Sequence, residues 1–185
     1  MNVDDRPIFL VGFMASGKST VGRALARALG WRLLDTDDLV EQREHRSVER
    51  IFSESGQSFF RRAESEALRS LDDLRRAVVA TGGGLFLGYR ARRWMIDHGR
   101  TVWLDVPLEA ARRRVEGGRS GRRGRPMWEG NDALALRALY ETRRAAYALA
   151  EVRVDATEGQ TTDVAAHIRE ALFKPRVQNF LDSGS

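Results

Sequence analysis

Gly12-Phe13-Met14-Ala15-Ser16-Gly17-Lys18-Ser19 sets two glycines five positions apart, ahead of a lysine and a serine. This matches G-x-x-x-x-G-K-[ST], the pattern of a loop that wraps a phosphate. The glycines let backbone N–H groups turn inward, and the N-terminus of a following helix adds partial positive charge. Lys18 can then reach the β- and γ-phosphates, and the Ser19 hydroxyl can ligate Mg²⁺. The chain has only two lysines, Lys18 and Lys174, and one of them falls on this spot.

Other residues could act with this loop. Asp35-Thr36-Asp37 carries two carboxylates one residue apart. On a loop these can face different partners, one a hydrated Mg²⁺ and the other a substrate hydroxyl; an aspartate there also suits a helix cap. In Phe59-Phe60-Arg61-Arg62-Ala63-Glu64, Arg61 and Glu64 have the i, i+3 spacing of a pair on one helix face. Gly82-Gly83-Gly84 offers backbone with no side-chain bulk, so a ligand can touch it. Thr81 stands where a second metal-binding aspartate could end that strand, which leaves Ser19 and Asp35 as the metal's protein ligands. Residues 112–125 hold seven Arg and one acid, with Gly117, Gly118, Gly121 and Gly124 and then Pro126. A mobile cationic lid that swings an Arg onto a transferring phosphate fits that composition.

These residues need a frame, and the chain alternates strands with helices. Apolar runs ending in Gly or Asp predict strands at 7–12, 31–35, 77–81, 101–105 and 151–155. Helical spacing predicts helices at 18–29, 37–44, 47–56, 57–76, 89–98, 107–115, 132–150 and 162–173, with Ser47 as a cap and Gly56 as a stop. Alternation of this kind implies an α/β fold with a parallel sheet covered on both faces. Ligands then bind at the carboxyl ends of the strands, which carry Gly12, Asp35, the triple glycine and Asp105.

With 185 residues, the chain is expected to form one domain. No cysteine is present, which excludes disulfides, thiolate metal sites and cysteine catalysis. No apolar run approaches the roughly 20 residues of a membrane span, and the first residues lack a signal peptide's order, so a cytoplasmic location is expected. The net charge is +5, and all basic residues except the two lysines are Arg, a bias that favours anionic ligands. Most of these Arg residues are interleaved with acids, as in Glu41-Gln42-Arg43-Glu44. That pattern reads as a solvated surface and argues against a nucleic-acid partner.

Taken in order, these motifs resemble the shikimate kinases, small P-loop enzymes of the nucleoside-monophosphate-kinase type, over about residues 7–173. The pattern is the P-loop, Leu34-Asp35-Thr36-Asp37, Phe60-Arg61-Arg62-Ala63-Glu64, Gly82-Gly83-Gly84, Arg125-Pro126, and Arg143 four residues before Tyr147. The resemblance implies a single P-loop kinase domain over 1–173 with a five-stranded parallel sheet in the order 2-3-1-4-5. It also implies a substrate-binding region near 37–64 and a lid near 116–127; residues 174–185, beyond the resemblance, read by themselves as a loose tail. The implied activity is transfer of the ATP γ-phosphate to the 3-hydroxyl of shikimate by a monomer using Mg²⁺, in the route to chorismate and the aromatic amino acids. The implied ATP-binding set is Gly12, Ala15, Ser16, Gly17, Lys18, Ser19 and Thr20, with Arg114 near adenine and Arg125 closing over the phosphates. Ser19 and Asp35 hold metal. Asp37, Arg61, the triple glycine (Gly82, Gly83, Gly84) and Arg143 bind shikimate, and Lys18, Asp37 and Arg125 act in catalysis. The chain departs from the family in Met127-Trp128 after Arg125-Pro126 and in Ala145 two residues after Arg143, which leaves Arg144 as a competitor for that role. A gluconate-type kinase or a catalytically silent ligand-sensing domain of this fold would share part of the pattern. The pairing of Asp-Thr-Asp with the triple glycine favours shikimate.

Overall fold

The computed structural model describes residues 4–117 and 133–173. The tail from 174, most of the expected lid and Arg125 lie outside the described residues. Five parallel strands, β1 (Ile8–Val11), β2 (Arg32–Asp35), β3 (Ala77–Ala80), β4 (Arg100–Asp105) and β5 (Val152–Asp155), form one sheet in the order β2-β3-β1-β4-β5. The two strands flanking β1 are β3 and β4, with Leu10 opposite Ala80 on one side and Val102 on the other. β1 and β3 are wholly buried, as strands covered on both faces must be.

Helix α1 (Lys18–Leu29) packs against α7 (Thr161–Phe173) and the sheet. The apolar stripe of α1, Val21, Leu25 and Ala26, is buried, and Gly30 closes the helix in the left-handed conformation. The 3-10 turn Leu85–Leu87 packs on α4 (Tyr89–His98) and α6 (Ala133–Tyr147), and α4 also lies on β4. Helix α5 (Leu108–Glu116) follows β4. No helix among the described residues is long and apolar enough to cross a membrane.

Helices α2 (Thr36–Glu44) and α3 (Val48–Arg69) have a small core of their own, made of Val40, Ile51, Phe60, Ala63 and Ala67. The Ser47 hydroxyl accepts from the Arg50 N–H, a cap worth about 1 kcal/mol. Gly56 interrupts α3 with φ 76° and ψ 174°, so the expected stop is a break between two helical halves. The second half ends at Arg69, short of the expected Arg76. Leu71 and Leu74 keep helical spacing but are buried as plugs in consecutive turns, Leu71 N–H to Leu68 O and Leu74 N–H to Leu71 O. The chain must reverse there so that Ala77 can enter the sheet beside Arg32.

Candidate active site

The glycine-rich loop leaves β1 at Gly12, whose φ is +144° and where a Cβ would lie 2.7 Å from the Leu104 carbonyl oxygen of β4. Only glycine passes that point without displacing backbone. Ala15 and Gly17 also take positive φ, and α1 begins at Lys18. The Lys18 ammonium donates to the Gly12 and Phe13 carbonyls, both at 2.9 Å, so its charge lies over the loop. Ser16 is buried beneath the loop, and Thr20 is exposed in the first turn of α1.

Arg114 braces the loop from another side. Its Nη1 donates to the carbonyls of Ala15 at 3.3 Å and Ser16 at 3.2 Å. Its Nη2 donates to those of Ala156 at 2.6 Å and Thr157 at 2.9 Å, just after β5. The residue expected near adenine therefore joins the P-loop to the β5–α7 connection.

Asp35 ends β2 and caps α2: its Oδ1 accepts from the Asp37 N–H at 3.0 Å. Its Oδ2 accepts from the Ser19 hydroxyl at 2.8 Å. A hydroxyl and a carboxylate side by side at the start of α1 form a hard-oxygen pair that suits Mg²⁺, with water and phosphate oxygens completing the shell. No group of three His, Cys, Asp or Glu able to hold a metal occurs among the described residues. The Thr81 hydroxyl donates to the Leu10 carbonyl at 2.9 Å and so ties β3 to β1.

The triple glycine is the floor on which the other groups meet. The Gly82 N–H donates to the buried Thr36 hydroxyl at 2.8 Å, which fixes the turn to the start of α2. A Cβ on Gly82 would collide with Glu64 Oε1 and lie 3.0 Å from Asp37 Oδ1; one on Gly84 would collide with the Arg61 guanidinium. A Cβ on Gly83 would sit 3.6 Å from Gly12 O and Met14 N and 3.8 Å from Arg143 Nη1. Asp37, Glu64, Arg61, Arg143 and the P-loop thus crowd the space that side chains on these three glycines would need.

Arg143 is buried on α6, its Cζ 5.5 Å from the Phe13 ring centre. Burial lowers its pKa from the usual arginine value, while Tyr147 opposes the shift. Arg144, one position on, turns away: it donates to Asp105 Oδ2 at 3.2 Å and lies over Trp103. It does not compete with Arg143. Asp105 also accepts from Arg153 at 2.9 Å, so this strand end anchors two arginines rather than facing the triple glycine.

Glu64 is the member whose part the sequence left undefined. It has no exposed surface, and it pairs with Arg61 through Oε2. Burial pushes its pKa up to about 7; Arg61 and Arg143 pull it down and Asp37 pushes it further up. Thr36 is a second such residue, with no signal beyond its place between two aspartates. The i, i+3 spacing to Arg61 was the available signal for Glu64.

The structure therefore brings Lys18, Ser19, Asp35, Asp37, Arg61, the triple glycine and Arg143 to one end of the sheet. The family model for shikimate kinase matches residues 14–173. A shikimate kinase of Moorella thermoacetica is 41% identical over 165 residues, spanning 89% of this chain and 93% of its own. The crystal structure of shikimate kinase from Aquifex aeolicus vf5 superposes with a TM-score of 0.79 at 35% identity, over 90% of this chain and 95% of that one. Shikimate kinase from Acinetobacter baumannii in complex with shikimate gives 0.84 at 30% identity, over 94% and 96%.

Proposed function

The chain belongs to the shikimate kinase family, a family of ATP-dependent kinases, and on that premise we propose how its residues move the ATP γ-phosphate onto the 3-hydroxyl of shikimate. The observation that carries the reading is the convergence of Asp37, Arg61 and Arg143 on a glycine turn that abuts the P-loop. A carboxylate and ring hydroxyls set on that turn lie within reach of a phosphate held by the loop.

Residues 12–20 wrap the triphosphate, and Lys18 leaves the Gly12 and Phe13 carbonyls for the β- and γ-phosphates. Ser19 and Asp35 would hold hydrated Mg²⁺, which when bound would supply charge neutralisation at the phosphates. An adenine ring stacks on the Arg114 guanidinium, whose in-plane donors are engaged with four carbonyls. Arg61 and Arg143 share the substrate carboxylate, since two planar donors suit one anion. Asp37 accepts a hydrogen bond from the 3-hydroxyl and points its oxygen at the γ-phosphorus. As the new O–P bond forms and the bond to the β–γ bridging oxygen breaks, the hydroxyl proton passes to Asp37 and ADP leaves with the bridging oxygen. Arg125 lies outside the described residues; its part in the proposal is to stabilise charge on the transferring phosphate. The enzyme acts as a monomer on two small molecules.

ADP release measured over shikimate, quinate, gluconate and nucleoside monophosphates tests this reading. Turnover is expected with shikimate well above the rest. Equal turnover with gluconate would move the assignment to a gluconate-type kinase, and no turnover with any substrate would favour a silent sensor domain.

A further inference from the structure

Tyr147 heads the fully buried side chains of the described core. Its ring lies 6.2 Å from that of Trp103, a contact a phenylalanine would keep. Packing alone therefore does not require the hydroxyl. That hydroxyl donates to the Gly83 carbonyl, and its oxygen accepts from the Arg143 guanidinium. Burial pushes the phenol up to about 12, so it remains a donor through the whole physiological range.

The two partners belong to different halves of the site. Arg143 is one of the two cations assigned to the substrate carboxylate. Gly83 faces the loop assigned to the nucleotide: a Cβ added to it would lie 3.6 Å from Gly12 O and Met14 N. One hydroxyl thus bridges the acid-binding cation and the backbone that faces the phosphate cradle. When a carboxylate draws on Arg143, the hydrogen bond to Tyr147 is polarised and its pull on Gly83 changes. The link runs through two hydrogen bonds to a glycine that faces the loop with room for no more than a methyl group between them.

We propose that Tyr147 is a positioning residue through which shikimate on Arg143 and nucleotide on the P-loop favour each other's binding. The proposal rests on Arg143 holding the carboxylate. Such coupling is reciprocal, so either ligand can report it, and typical factors run from about 5 to 150.

The experiment is calorimetric titration of shikimate into the enzyme, with and without a saturating non-hydrolysable ATP analogue and Mg²⁺, for wild type and Tyr147→Phe. Wild type should bind shikimate at least about fivefold tighter when nucleotide is present. In Tyr147→Phe that ratio should fall to within about twofold of one, while the analogue's affinity in the absence of shikimate stays within about twofold of wild type. A residue that only filled the core would lower both affinities and leave the ratio. A wild-type ratio of one, or an unchanged ratio in Tyr147→Phe, overturns the proposal. Arg143→Met separates the two layers. If it leaves shikimate affinity intact, the carboxylate assignment fails and the proposal falls with it. If it abolishes affinity while Tyr147→Phe keeps the coupling, only the role of Tyr147 is lost.

Discussion

Arg61 and Glu64 stand one turn apart on α3 and form an ion pair with one end in the core and the other in the cleft. The Glu64 side chain has no exposed surface, whereas that of Arg61 keeps 32%. Glu64 Oε1 has no hydrogen-bond partner among the described residues, and it points at Gly82. The charges facing it are Asp37 from α2, Arg61 from its own helix and Arg143 from α6. With Glu64 neutral, these sum to one positive charge, the complement of one substrate carboxylate. With Glu64 ionised, they cancel.

Shikimate affinity should therefore depend on pH. Burial lifts Glu64 from 4.5 to about 7, so the proton is held below that pH and lost above it. Binding should be tightest below pH 7 and weaken as pH rises through it, and Glu64→Gln should flatten the profile. Titrations of the binary complex between pH 5.5 and 8.5 check this. An identical slope in wild type and Glu64→Gln would remove Glu64 as the cause.

The same shift bears on stability. The native state keeps this proton to higher pH than the unfolded chain, so its stabilising effect is full below 4.5 and is lost as pH rises to about 7. The loss is at most about 3 kcal/mol. Urea unfolding at pH 5 and pH 8 should show wild type losing more stability than Glu64→Gln across that interval.

Arg143 and Arg144 should separate cleanly. Arg143→Met removes a buried charge from the substrate pair and should cost about 2–5 kcal/mol of shikimate binding. Arg144→Ala removes one of two partners of Asp105 and leaves Arg153 in place, so its effect should be at most about 1 kcal/mol of stability. Steady-state KM for shikimate and thermal midpoints for both variants provide the check.

Gly84→Ala should raise the KM for shikimate at small cost in stability. The added methyl meets the end of a flexible, partly exposed Arg61, which can move at the expense of its aim. Gly82→Ala meets the buried Glu64 carboxylate instead, and should lose about 1–3 kcal/mol of stability as well as activity. Paired denaturation and kinetic measurements distinguish the two.

Lys18→Ala should lower kcat by about a hundredfold or more, because the ammonium stabilises charge that develops on the phosphates. The thermal midpoint should change little, since Lys18 is only partly buried and lies on loop carbonyls rather than in the core. Unchanged turnover would remove the P-loop assignment.

The strand positions and the P-loop were legible because a parallel sheet leaves a repeated mark, short apolar runs that end in Gly or Asp; the order of the strands came only with the family resemblance. Helix ends were less so. Leu71 and Leu74 continue a helical stripe, but burial of those side chains in turns outweighs the pattern. Arg143 and Arg144 are neighbours in sequence, yet about 100° of helical rotation sends one to the triple glycine and the other to Asp105. Spacing marked Arg61 and Glu64 as a pair but not which of them would be buried. That depends on β3 delivering Gly82 against α3, a contact no local window contains.

The brace on the P-loop has a consequence for chain synthesis. Within this domain the phosphate motif precedes most of the chain, but its shape relies on parts made much later. Gly12 is set by the Leu104 carbonyl, and Arg114 links Ser16, 98 positions away, to Thr157, 43 positions away in the other direction. A nascent chain or proteolytic fragment that stops before Ala156 carries the whole motif without the lattice of carbonyls that holds it. Nucleotide retention is therefore a late event in this protein's biogenesis, and it reports that nearly the entire domain has been made and folded.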